Sequence, residues 1–153
     1  MNAVNAGDTA WLLVSSALVL LMTPALALFY GGMVRKKNVL STLMHSLAAI
    51  PIVSVLWTVC GYSLAFGPSH HGLIGSFSSM GLSDLVGQMH GTVPSLAFCA
   101  FQMMFAIITP ALISGAFAER MRFSAYILFI VLWSMLVYFP VAHWVWADDG
   151  WLF

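Results

Sequence analysis

Charge is what this sequence lacks. Its 153 residues include five Lys and Arg together and five Asp and Glu, so 7% are charged. Soluble domains carry about 25%, and a chain this poor in charge does not fit one. The five basic residues sit in two tight turns, Arg35 to Lys37 and Arg120 to Arg122, too few for a nucleic-acid groove. Formal net charge is zero, which gives no bulk attraction to acidic partners. Cysteine is scarce as well. Cys60 and Cys99 have no CxxC spacing and fall inside apolar runs, where a thiol packs as a small buried side chain. No GxSxG, HExxH or phosphate-binding loop is present, and no carboxylates stand at catalytic spacing, so no enzyme is expected. No cofactor is expected either. His70 and His71 are adjacent and lack a companion Cys or carboxylate, so no metal is expected there.

What is present is apolar, at 61% of the chain. The charges stand at Asp8, at Arg35 to Lys37, at Asp84, at Glu119 to Arg122, and at Asp148 and Asp149. The uncharged stretches between them exceed the roughly 20 residues that cross a bilayer core as helix. The expected fold is all-α: a polytopic membrane helix bundle with four transmembrane helices at about 9–34, 39–66, 95–118 and 123–146. Pro24, Pro51, Pro110 and Pro140 fall inside these spans, where neighbouring helices or a local kink can satisfy the freed carbonyls. The second span is roughly 43 Å long at about 1.5 Å per residue. That is too long to stand upright in a core of about 30 Å, so tilt, a kink at Pro51 or a protruding end is expected. The first apolar run lacks a basic leader and reads as a true span rather than a cleaved signal. Residues 67–94 are rich in Gly and Ser and read as an extramembrane loop, with a short interfacial helix near 82–89. Residues 147–153 form a tail, and no internal repeat is visible.

All the basic residues lie in the turns between spans one and two and between spans three and four. The positive-inside rule therefore puts both turns in the cytoplasm and the N-terminus, the loop and the tail outside. Trp57, Tyr62, Tyr138, Trp144 and Trp146 then gather toward the outer boundary as an aromatic belt.

The third span carries Phe98, Phe101, Gln102, Phe105 and Thr109 three and four residues apart, which makes one stripe on a helix. Phe105 falls about 10 residues, or roughly 15 Å, beyond Ser95, near the midplane. A phenyl ring there closes a narrow path to water and hydrated ions; the same spacing also suits a packing aromatic. Gln102 needs a partner and is expected to face protein or water. Trp146 ends the fourth span, where an indole attracts an ammonium-type ion by about 0.5–2 kcal/mol. An interfacial belt role fits it equally, and Trp144 and Trp151 compete for the cation role. His45 lies within span two, a functional candidate by default, with hydrogen-bonded packing between helices as the plainer role. His143 is expected to be wet. Glu119 is expected to make a local ion pair with Arg120 or a helix-end contact. Asp148 and Asp149 either draw cations to the outer mouth or are simply solvated.

Several runs together resemble the ammonium transporter (Amt/Mep/Rh) family: Leu28-Phe29-Tyr30-Gly31-Gly32-Met33-Val34-Arg35, then Lys37-Asn38-Val39-Leu40-Ser41, Gly61-Tyr62-Ser63-Leu64-Ala65-Phe66-Gly67, Ala118-Glu119-Arg120-Met121-Arg122-Phe123-Ser124 and Ala142-His143-Trp144-Val145-Trp146. The resemblance covers nearly the whole chain, in order. It implies an eleven-helix fold in a homotrimer of the cell membrane, one pore per subunit, with the first five helices related to the next five as an inverted repeat. It implies that Trp146 is the outer tryptophan that recruits ammonium, and that Phe105 is the first of two stacked gate phenylalanines. Phe101, Gln102 and Tyr30 would line the pore, Tyr30 near the inner vestibule. The second gate phenylalanine, an outer-site serine, two pore histidines and the aspartate of an Asp-Phe-Ala-Gly-Gly motif would lie past Phe153. The chain then corresponds to the N-terminal part of such a transporter. The implied function is passage of ammonium or ammonia through a hydrophobic pore. Two other functions fit the resemblance: an ammonium-sensing input domain of a signalling protein, and a truncated fragment not competent alone. A cytoplasmic nitrogen regulator would bind only through a further C-terminal part.

Overall fold

The structure is a computed structural model that describes residues 4–153. The first span is a helix over Ala6–Met33. Asn5 caps it, accepting from the backbone N–H of Gly7 at 2.9 Å and of Asp8 at 3.1 Å, which satisfies two of the donors a helix start leaves free. The second span occupies Lys36–Phe66, the third Ser95–Phe117 and the fourth Phe123–Trp146. The four spans expected from the sequence are therefore present, each end within three residues of its expected place.

Two of the spans are not uniform. A π-turn at Trp57–Gly61 interrupts the second, and another at Ser134–Tyr138 interrupts the fourth. Pro140 explains the latter. It has no N–H to offer the carbonyl of Leu136, four residues back, and its ring would crowd that carbonyl; widening the helix around position 136 relieves both problems. At the former, Gly61 lies under the Phe139 ring, whose Cζ would stand 2.6 Å from an added Cβ. The two widened turns thus pack Trp57, Gly61 and Phe139 together, with the Trp57 and Phe139 rings 5.7 Å apart.

The first, second and third spans pack on one another, and the fourth lies mainly against the second. Polar pairs tie them. The Ser46 and Ser114 hydroxyls bond at 2.8 Å between the second and third spans, and the Tyr126 hydroxyl donates to the Pro110 carbonyl at 3.1 Å. Trp57, Tyr126, Phe139, Ile107 and Ile130 are fully buried. In the first span only 17% of the apolar window is buried, so most of its surface, Trp11, Leu18, Leu21 and Phe29 included, faces outward. An apolar exterior on a chain of long helices is that of a multi-pass membrane protein, which satisfies its backbone within each helix.

The loop between the second and third spans holds two antiparallel hairpins of two-residue strands: β1 (Ser69–His70) with β2 (Ile74–Gly75), and β3 (Met89–His90) with β4 (Val93–Pro94). The helix expected near 82–89 does not form. A single 3-10 turn at Met80–Leu82 stands before it. Gly81, Leu82 and Gly87 have φ of 69°, 60° and 79°, left-handed positions that stop a helix.

Candidate functional site

The bundle has a turn end, carrying the two short basic turns, and a loop end, carrying the hairpins and the tail. The aromatic stripe of the third span runs toward the loop end and divides there. Phe98 joins a cluster with Phe66, 5.3 Å away, and with the His90 ring, stacked at 3.8 Å. Phe101, Gln102 and Phe105 are half-buried, with the Phe101 and Phe105 rings edge to face at 5.1 Å. Thr109 turns back on its own helix and donates to the Phe105 carbonyl at 2.7 Å.

The Phe105 and Trp146 ring centroids are 6.3 Å apart. Counting along the helix axis suggests rings separated by half a bilayer; they are neighbours instead. An axial count omits the reach of two large side chains and the stagger of one helix against another. Trp146 is 43% exposed and forms a wall of two cavities. One, of about 310 Å³, lies among Tyr62, Phe66, His90, Trp146, Asp148 and Asp149. The other, of about 90 Å³, is apolar and lies against Tyr138, Ala142, Val145 and Trp146. Phe105 lines neither.

The position of Trp146 is fixed by its neighbours in sequence. His143, expected to be wet, has no exposed surface. Its Nδ1 meets the Ala65 carbonyl and its Nε2 the Ser69 hydroxyl, each at 2.9 Å. A carbonyl only accepts, so Nδ1 carries a proton and donates to Ala65, while Nε2 bonds the Ser69 hydroxyl. The imidazole joins the fourth span to the second and to β1. The Trp144 indole donates to the Leu73 carbonyl at 2.6 Å, and the Leu152 N–H to the Trp144 carbonyl at 3.0 Å. Gly75 lets its backbone lie against the Ser63 carbonyl, and Gly150 lets the tail lie against the His143 carbonyl; a Cβ at either would clash with backbone. None of these partners was visible in the sequence, since each lies far along the chain or is a carbonyl.

Other candidates lie apart from this pair. Tyr30 rests its ring on Gly115 and donates its hydroxyl to the Leu112 carbonyl at 3.0 Å, between the first and third spans. His45 meets the carbonyl of Ser41 in its own helix at 2.6 Å, so its hydrogen bond does not join two helices. Its ring does, packing edge-on at 5.0 Å from Tyr126 and 5.5 Å from Phe123. Glu119, at φ 63°, does not make its hydrogen bonds locally. Its Oε1 accepts from the Asn38 side chain at 2.8 Å and the Arg35 N–H at 2.9 Å, a helix-end contact on the neighbouring turn. These bonds, Asn38 first, hold its carboxyl below the usual range. Cys60 and Cys99 are buried free thiols. Among the described residues no three His, Cys, Asp or Glu converge as a metal site would require.

Comparison with known proteins follows the same fold. An ammonium transporter of Bacillus subtilis is 55% identical, over 95% of this chain and 36% of its own length. The crystal structure of Candida albicans Mep2 superposes with a TM-score of 0.88 at 35% identity, over 97% of this chain and 33% of that one. A structure titled Sensor Amt Protein superposes at 0.86 with 28% identity, over 94% of this chain and 36% of that one. The chain thus spans about a third of the length of these relatives. The model of the Ammonium Transporter Family matches residues 10–153, the whole bundle with the Phe105 and Trp146 pair inside it, and the chain belongs to that family.

Proposed function

We propose that this chain supplies the outer entrance of a pore that passes ammonium or ammonia across the cell membrane. The loop end then faces outward and the basic turns face the cytoplasm, as the placement of all five Lys and Arg in the turns suggests. Trp146 draws ammonium by cation–π attraction of about 0.5–2 kcal/mol, enough to dwell but not to trap. Phe105, beneath it, closes the path to hydrated ions and swings aside for the small substrate, with Phe101 and Gln102 beside it. Tyr30 belongs to the inner part of the same path. The observation that carries this reading is the 6.3 Å approach of the Phe105 and Trp146 rings, one from the third span and one from the fourth. The remaining walls come from the rest of a longer protein, which assembles as a homotrimer.

The test is methylammonium uptake by the complete protein. Phe105→Ala and Trp146→Ala should each lower it by tenfold or so if a cation–π contact and a gate are lost. Uptake equal to the parent in both variants removes the proposal. A sensing role is the second reading, favoured by the likeness to the Sensor Amt Protein. It predicts that the complete protein carries a signalling domain and that ammonium changes that domain's output.

A further inference from the structure

We propose that the turn end is a binding rim for anionic phospholipid, where the two basic turns hold the headgroup phosphate and the helix flanks beside them take the acyl chains. This goes beyond the ammonium reading and does not depend on it.

Charge is divided between the two ends of the bundle. All five Lys and Arg stand in the two turns, with Glu119 as the one acid among them, a net of +4. The other acids, Asp8, Asp84, Asp148 and Asp149, lie toward the loop end, where Asp8 accepts from the Thr92 hydroxyl. Arg35, Lys36, Lys37, Arg120 and Arg122 are all exposed. Glu119 draws the two turns together through uncharged donors, the Arg35 backbone N–H and the Asn38 side chain. The cations of both turns thus share one face.

Depth favours a lipid over a soluble partner. The spans end at Met33 and Phe117 and resume at Lys36 and Phe123. Each cation therefore lies within three residues of a span end, about 5 Å along a helix. That places it in the headgroup layer of about 5–7 Å that borders a bilayer core. Turns this short do not project past that layer. Beside the cations the flanks are apolar and open: Phe29 is 61% exposed, Met33 and Leu40 71%, and Phe123 40%. A diacyl lipid answers both features, with phosphate for the cations and chains for the flanks. An acidic soluble protein answers only the first.

The experiment measures binding of fluorescent phosphatidylglycerol and phosphatidylcholine to the complete protein in micelles of an uncharged detergent. The parent should prefer phosphatidylglycerol by about tenfold or more. Lys36→Gln with Lys37→Gln, and separately Arg120→Gln with Arg122→Gln, should each cut that preference about three- to tenfold. These side chains are exposed, so the exchanges are compatible with folding. The charge-keeping pair Lys36→Arg with Lys37→Arg should preserve the preference. Added salt should weaken it in the parent. Inorganic phosphate at matched ionic strength should not displace the lipid, because it brings no chains to the apolar flanks. Equal affinity of the parent for the two lipids overturns the proposal and leaves the cations to an acidic soluble partner. A preference unchanged in either double variant overturns the shared rim, and displacement by inorganic phosphate overturns lipid as the occupant.

Discussion

At the loop end, both nitrogens of His143 and the Trp144 indole reach across to the second span and its hairpin, and backbones touch at Gly75 and Gly150. At the turn end, one exposed carboxylate, Glu119, joins the two basic turns through Arg35 and Asn38. The loop end is locked by several contacts gathered around the buried His143; the turn end is tied by an exposed one. The Trp146 indole, which the proposed function makes the first contact of the cation, lies at this more heavily tied loop end. The turns joined through one exposed carboxylate should tolerate change better.

That contrast can be broken at several points. Gly75→Ala should have the largest effect, because the new methyl meets the Ser63 carbonyl and the Leu64 carbonyl at 2.8 Å, both backbone. A loss above about 3 kcal/mol, or no folded protein, is expected in thermal unfolding of the complete protein in detergent. His143→Ala comes next. It strands the Ala65 carbonyl and the Ser69 hydroxyl and opens a cavity, for about 2–4 kcal/mol. Trp144→Phe keeps one aromatic ring and removes the indole N–H bond to Leu73, which should cost about 1 kcal/mol or somewhat more by the same measurement.

Glu119→Gln should be the mildest, and it sharpens the comparison through pH. The Glu119 carboxyl is held below its ordinary value of 4.5. Its contribution is therefore complete above that value and lost as pH falls through the lower folded one. The melting temperature of the parent should exceed that of Glu119→Gln slightly near neutrality, and the gap should close in acid. A gap that widens in acid would contradict the assignment.

The spans were legible because bilayer length and charge placement act on whole segments. The family was legible because five separate runs agree. The loop end was not. Two-residue strands such as Ser69–His70 carry no alternation to read. His143 looks like any polar residue near a membrane surface until Ala65 and Ser69, more than 70 positions earlier, come beside it. Glu119 has an adjacent Arg120 that invites a local pairing, yet its partners lie 81 and 84 positions away. The approach of Phe105 to Trp146 depends on helix stagger and ring reach, which no periodicity encodes.

The most direct measurement is a double-mutant cycle on methylammonium uptake by the complete protein, with Phe105→Ala, Trp146→Ala and the pair. If the two rings act as one entrance, each single change lowers uptake and the pair falls no further than the worse single, since neighbouring groups in one unit are not additive. Parental uptake in all three variants would contradict the account.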